Sequence, residues 1–195
     1  MSDTVQAPLQ FVKAKRLFTA DKLAVAEALY GYAAGIDIRD AGLMASALTD
    51  SAASDFRPAA AKAGFEYPVL QGRDTIVQAL ITSLSRVDTT HSVNNPRVTV
   101  EGDEAVLDAL VEAQHVLKTD HSRSYLMKNR YDVRLVRQGE TGRIQHIVVD
   151  NVWRTGDPAV LAVFDLIRPL KLYSRAECAQ RLLRAVARRL LRNLG

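Results

Sequence analysis

The chain has little of what would support several common classes of protein. It contains one cysteine, Cys178, in 195 residues, which excludes a disulfide framework and a cysteine-based metal site. It has no run of about 18 apolar residues, so no membrane-spanning helix is expected. The first residues lack the charged start, apolar middle and small-residue cleavage site of a secretory signal. These absences indicate a cytoplasmic protein.

Excess positive charge is also missing from most of the chain. The net charge of +4 divides into +6 for residues 165–195 and −2 for the remainder. The body of the protein therefore lacks the basic surface that is typical of nucleic-acid binding, and no nucleic-acid partner is expected.

The basic C-terminal tail, SRAECAQRLLRAVARRLLRNLG, predicts an amphipathic helix. Such a helix packs on its own domain or on a partner subunit, or it attaches peripherally to an anionic membrane. We therefore expect three parts: an N-terminal arm over 1–18, an α+β domain over 19–160 and a C-terminal helical extension over 161–195.

Helical periodicity dominates the first half of the domain. After a capping residue at Thr19 or Asp21, an apolar stripe recurs at helical spacing, formed by Val25, Leu29, Tyr32 and Ile36. A short helix near 41–48 and a third helix over 73–87 follow. The segment between them is rich in turn formers and small residues, which indicates a loop or a cavity lid.

The hydrophobic period changes to two after His91. Segments 97–100 and 105–117 flank Glu101-Gly102-Asp103, a hairpin signal, and two more strands are predicted over 124–137 and 143–154. His115 falls on the apolar face of the second strand. Three helices followed by an antiparallel meander predict an α+β fold.

Three side chains in apolar or small-residue surroundings are candidates for catalysis: Asp37, His91 and His115. A histidine with a carboxylate partner in a dry pocket is a general base that needs neither metal nor cofactor. His91 would be the base and Asp37 would fix its tautomer, while His115 or Tyr32 would donate to the leaving group or to an enolate oxygen. The alternatives are a histidine satisfied in the core, an Asp37 that caps the chain after Gly35, and a tyrosine that only packs.

Seven motifs together resemble the SnoaL-like branch of the nuclear-transport-factor-2-like superfamily over about residues 19–160. They are Tyr32-Ala-Ala-Gly-Ile-Asp37-Ile-Arg-Asp40, Leu48-Thr-Asp50, Gly72-Arg-Asp-Thr-Ile76, His91, Val100-Glu-Gly-Asp103, Tyr131-Asp132 and Trp153-Arg-Thr-Gly-Asp157. The resemblance implies a cone of curved antiparallel sheet closed by helices, a small-molecule partner, and a homo-oligomer that is a dimer or a trimer. Fold alone does not decide activity, since the superfamily holds enzymes and binding modules.

The residues are most similar to those of scytalone dehydratase and related lyases, which use an Asp–His pair and a second histidine in the cavity. That likeness implies catalytic roles for Asp37, His91 and His115, and Tyr32 resembles the catalytic tyrosine of the bile-acid dehydratases of this fold. The fungal enzyme has another cavity tyrosine after the first helix, where this chain offers Phe56. The predicted substrate-binding residues are Asn129, Tyr131, Asn151, Phe56 and Tyr67.

The sequence thus predicts a cofactor-independent lyase without a metal, acting on a small hydroxylated aromatic or polycyclic molecule. The leaving fragment is water, or formaldehyde in a retro-aldol cleavage. The rival interpretations are an isomerase, cyclase or epoxide hydrolase of the same fold, and a non-catalytic module that binds a small ligand.

Overall fold

The computed structural model describes the backbone of residues 6–163 and 168–169 and the side chains of residues 21–161. The helices are α1 (Gln6–Ile38), α2 (Ala41–Ser46), α3 (Arg57–Ala63), α4 (Arg73–Ser83) and a 3-10 helix (Pro158–Val163). The strands are β1 (Leu48–Asp55), β2 (Phe65–Glu66), β3 (Leu70–Gln71), β4 (Val87–Glu101), β5 (Glu104–Leu117), β6 (Asp120–Gln138), β7 (Thr141–Gly156) and β8 (Arg168–Pro169).

A curved, open sheet of six strands runs in the order β3-β1-β7-β6-β5-β4. β1 lies parallel to β7, and the other neighbours are antiparallel. β2 and β8 form a separate pair. The predicted α+β fold, with helices over a curved sheet, is confirmed.

The first helix is longer than its sequence signals indicated. α1 begins at Gln6, whereas the sequence predicted an arm to residue 18 and a cap at Thr19 or Asp21. Residues 6–18 contain no glycine, and their single proline, Pro8, falls in the first turn, where a helix tolerates it. The predicted stripe from Val25 to Ile36 is buried as expected.

A sharp corner joins α1 to α2. Arg39 adopts a left-handed conformation with φ of 59°, and the Asp40 side chain then caps α2 by accepting a hydrogen bond from Leu43 N at 2.9 Å. The two helices approach closely at Gly35. A Cβ there would lie 2.7 Å from Met44 Cγ and 2.8 Å from Met44 N, so only glycine fits without movement.

Gly35→Ala is therefore expected to destabilise the protein. The added methyl group must push the α2 backbone away from α1, and overpacking of this kind costs about 1–3 kcal/mol. Urea unfolding would measure the change. Gly31→Ala is the matched control, because its Cβ would meet only Leu43 Cδ1, at 3.7 Å. Equal effects of the two substitutions would contradict the prediction.

The predicted loop over 49–72 contains regular structure. β1 forms because Ala53, Ser54 and Asp55 pair with β7, a contact that local sequence does not reveal. α3 begins with a proline in its first turn and ends at Gly64, whose φ is 86°. The small residues Ala59, Ala60 and Ala63 of α3 line a cavity, and a role of this segment as a lid stays a prediction.

The long strands follow the predicted alternation, but β4 begins ten residues early, at Val87, so that His91 lies within a strand. On β5 every second residue from Ala105 to Leu117 is buried, His115 among them.

The structure continues past the predicted boundary at residue 160. Leu161 is buried, and Arg168–Pro169 pairs with Phe65–Glu66. The predicted basic amphipathic helix of the tail lies outside the described residues. No described helix is both long and apolar enough to cross a membrane.

Candidate active site

A cavity of about 110 Å³ lies between the concave face of the sheet and helices α3 and α4. Most of its wall is apolar. The polar side chains that line it are His91, His115, Asn129, Tyr131, Tyr67 and Ser83. Such a cavity, apolar with a few convergent polar groups, is the usual form of a small-molecule site.

His91 and Asp37 form a tight pair at this wall. Asp37 lies in the last turn of α1, and His91 Nδ1 lies 2.6 Å from Asp37 Oδ1. The His91 backbone N–H donates to Asp37 Oδ2 at 2.7 Å, and the Thr89 hydroxyl donates to Asp37 Oδ1 at 3.0 Å. Both carboxylate oxygens are thus held from strand β4.

This pairing decides which ring nitrogen is available for chemistry. Asp37 accepts the hydrogen of His91 Nδ1, so His91 Nε2 carries the lone pair, and the ring lines the cavity. Burial alone would raise the pKa of the Asp37 carboxyl. Two effects outweigh burial: the hydrogen bonds from His91 and Thr89, and the attraction of the positive charge that His91 carries when it is protonated. The pKa of Asp37 therefore lies below its ordinary value.

Arg39 supports the Asp37–His91 pair through Thr89. Its guanidinium donates to Thr89 Oγ1 at 3.0 Å, to Leu84 O at 2.9 Å and to Val87 O at 2.7 Å, and also to Ile36 O. Arginine can only donate, so the Thr89 oxygen must accept from Arg39 and its hydrogen is directed to Asp37. A donor-only residue therefore orients the carboxylate through Thr89.

His115 lines the cavity next to His91. The two ring centroids are 6.2 Å apart at an interplanar angle of 78°. Burial, together with the positive charge available to His91, lowers the pKa of His115 to about 3. His115 is therefore a neutral imidazole at physiological pH and can donate or accept a hydrogen bond without carrying a charge.

The predicted aromatic residues separate into two groups. Phe56, Tyr67 and Tyr131 line the cavity, and the Phe56 and Tyr67 rings meet edge to face at 5.5 Å. Burial raises the pKa of Tyr67 to about 12 and raises that of Tyr131 as well, so both remain donors. Tyr32 is 1 % exposed within the core and is not part of the cavity wall. Tyr32 thus lies behind the wall, close enough to interact electrostatically with Tyr131 and Tyr67, and its catalytic role stays a prediction.

The two predicted asparagines are cross-strand partners in the sheet, and Asn129 lines the cavity whereas Asn151 does not. Asn129 lines the cavity beside an irregularity in the pairing of β6 with β7, a feature that re-aims side chains. Asn151, its partner on β7, is not part of the wall. Asn151 Nδ2 instead donates to Asn129 Oδ1 at 2.9 Å.

Sequence reasoning missed Thr89 and Arg39. Thr89 lies two residues before His91 on the same strand, so alternation alone would have placed both side chains on one face. Arg39 follows Asp37 by two residues, but no pattern signals its left-handed backbone. Within residues 21–161, no three side chains of His, Cys, Asp or Glu form a cluster that could hold a metal.

Known proteins resemble this chain in sequence and in fold. The terrestric acid biosynthesis cluster protein E of Penicillium crustosum is 28% identical over 148 residues, which is 72% of this chain and 89% of that protein. The structure of hexachlorocyclohexane dehydrochlorinase LinA-type3 from Novosphingobium barchaimii aligns with a TM-score of 0.60 and 18% identity, over 74% of this chain and 94% of that one.

A Novosphingobium aromaticivorans protein, provisionally assigned as a scytalone dehydratase, aligns with a TM-score of 0.59 and 15% identity, over 69% of this chain and 85% of that one. The likeness to these two structures concerns the fold. The relatives include enzymes that convert small molecules. The sequence profile of the SnoaL-like domain matches residues 18–155, and the chain belongs to this SnoaL-like family.

Proposed function

We propose that this protein is a cofactor-independent lyase that uses His91 as its general base. The observation that carries the proposal is the 2.6 Å contact between His91 Nδ1 and Asp37, because it leaves the basic Nε2 at the wall of an apolar cavity. The dehydratase-like and dehydrochlorinase structures support an elimination, since both names describe the loss of a small molecule.

The elimination requires two proton transfers, one to His91 and one from it. His91 Nε2 removes a proton from the carbon next to a carbonyl, and the C–H electrons form an enolate. When the enolate expels a β-hydroxyl group, the protonated His91 returns its proton to that oxygen, and water leaves. Asp37 stabilises the imidazolium between the two steps. One histidine serves both transfers, because neutral His115 is not an imidazolium acid: its N–H can donate a hydrogen bond but does not transfer a proton to the leaving oxygen.

The same base supports the retro-aldol alternative. His91 would then take the proton of a primary hydroxyl group on the β-carbon, the bond between the α- and β-carbons would break, and formaldehyde would leave with the enolate behind. The enolate carbon would take the proton back from His91. Both reactions develop negative charge on the same carbonyl oxygen, so the site requires the same donors for each.

Neutral donors at the wall suit that oxygen. His115, Tyr131 and Asn129 line the cavity, and each side chain has an N–H or O–H group that can donate. The volume of about 110 Å³ is close to that of cavities that enclose one aromatic ring. A substrate with a single ring therefore fits better than a polycyclic one, unless the additional rings extend through the mouth.

A turnover screen by mass spectrometry tests the proposal. Wild type, His91→Gln and His121→Gln would be incubated with a mixture of β-hydroxy carbonyl and hydroxylated aryl compounds in the presence of a chelator. We expect a product lighter by one water or one formaldehyde with wild type and His121→Gln, whose exposed histidine is remote from the cavity. A product of unchanged mass would indicate an isomerase and a heavier one a hydrolase. Ligand-induced stabilisation without any product would indicate a binding module.

A further inference from the structure

The side-chain amides of Asn151 and Asn129 are hydrogen-bonded to each other. The other neighbours of Asn151 are groups that can only accept or only donate a hydrogen bond. Asn151 Nδ2 donates to the backbone oxygen of Trp153 at 3.0 Å and approaches that of Lys128 at 3.4 Å. A backbone oxygen can only accept. At its other end, Asn151 Oδ1 accepts from Arg154 Nη1 at 3.2 Å, and arginine can only donate. The Asn151 amide therefore has one allowed orientation, with Nδ2 toward the backbone oxygens and Oδ1 toward Arg154.

The orientation of the Asn151 amide also fixes the orientation of the Asn129 amide. Asn151 Nδ2 lies 2.9 Å from Asn129 Oδ1, and because Asn151 donates there, Asn129 must present its oxygen to Asn151. Both residues are 2% exposed, so a reversed amide would leave two donors facing each other away from water, which is costly. No group within residues 21–161 accepts from Asn129 Nδ2, and Asn129 lines the cavity. Its two N–H hydrogens are the part that a ligand meets.

Asn129 and His91 face the cavity from different strands. His91 on β4 pairs with Ala113 on β5, which pairs with Met127 on β6, two residues before Asn129. Strands β4 and β6 are separated by one strand, and their backbones lie about 10 Å apart. A substrate of one ring can therefore present a proton to His91 and an acceptor oxygen to Asn129.

We infer that Arg154 and Asn151 are positioning residues that fix Asn129 as a hydrogen-bond donor, and that the site selects ligands with a carbonyl or enolate oxygen at that end. This inference deepens the proposed function and rests on it for the reaction. The selection of the ligand, however, can be measured without any turnover.

Two inert probes separate acceptor from donor recognition. Acetophenone offers only an oxygen acceptor and indole offers only an N–H donor, and they have the same number of non-hydrogen atoms. Binding would be measured by isothermal titration calorimetry for wild type, Asn151→Asp and Arg154→Lys. The carboxylate that Asn151→Asp introduces only accepts, so the Asn129 amide is expected to turn and to direct its oxygen into the cavity.

We expect Asn151→Asp to weaken acetophenone binding by about tenfold, the effect of one lost hydrogen bond, while indole binding stays constant or improves. Arg154→Lys keeps a donor-only group and is expected to keep the wild-type ratio. An equal loss for both probes, or an unchanged affinity for acetophenone, would overturn the inference. A wild type that prefers acetophenone but yields no lyase product would contradict the proposed function alone.

A second measurement avoids any dependence on how Asn151→Asp folds. In a two-dimensional ¹⁵N–¹H spectrum of wild type, acetophenone is expected to shift the side-chain NH₂ signals of Asn129 and to leave those of Asn151 in place. The signals would be assigned in wild type itself, by through-bond correlation of each side-chain NH₂ with the Cβ of its own residue. A shift confined to the Asn151 signals would mean that the orientation is reversed and would overturn the inference.

Discussion

His91→Gln is expected to lower kcat/KM by about 10²–10⁴-fold, the usual contribution of a well-placed general base. The amide N–H of glutamine can still donate to Asp37, so the carboxylate keeps a partner. The side chain has no group that takes up a proton at neutral pH. Steady-state rates on the substrate found in the screen would measure the loss.

The control for this prediction is thermal unfolding of the same variant. A rate loss with a nearly unchanged unfolding midpoint assigns the effect to chemistry. His121→Gln removes an exposed histidine and is expected to keep the wild-type rate. If His91→Gln retains more than about a tenth of the wild-type kcat/KM, His91 is not the base, and another group that lines the cavity must take the proton.

The same rates distinguish a coupled pair from two independent residues. Asp37→Asn keeps the shape of the carboxylate but can present a donor to His91 Nδ1, which favours the tautomer with hydrogen on Nε2. Because Asp37 acts through His91, the double variant is expected to be no slower than His91→Gln alone. Additive losses would mean that Asp37 has a role apart from orienting His91.

The Asp37–His91 pairing was predictable because a local sequence pattern marked each of the two residues. Asp37 follows an apolar helical stripe, and His91 lies at a change of hydrophobic period. Tyr32 lies on another side of the same helix. Residues five apart on a helix are separated by about 140°, so Tyr32 points into the core while Asp37 points to β4.

Other parts of the site depend on contacts between distant segments. β1 is a strand because it lies against β7, and its small residues alone resemble a loop. Likewise, no local pattern shows that Asn151 lies opposite Asn129, because this pair depends on the register of β6 and β7, which shifts between Lys128 and Asn129. The neutrality of His115 has the same origin: alternation predicted its apolar face, and the depth of burial follows from the assembled core.

That burial predicts a second large effect, on stability in acid. An unfolded His115 takes up a proton as the pH falls below its ordinary pKa of 6.5, whereas the folded protein resists until about 3. Between these values the unfolded state binds more protons, so the free energy of unfolding decreases as the pH falls. The slope is about 1.4 kcal/mol per pH unit for one group.

His115→Gln is expected to remove that contribution, so that urea unfolding between pH 6 and pH 4 shows a shallower loss of stability than wild type. Slopes are compared because a buried glutamine has its own cost at every pH. Asp37 acts in the same direction only below its ordinary pKa of 3.8, since a carboxyl with a lowered pKa stabilises the fold above that value. Its contribution begins to appear near pH 4, but wild type and His115→Gln both contain Asp37, so it cancels in the difference between their slopes. An equally steep slope for His115→Gln would show that His115 takes up its proton in the folded protein.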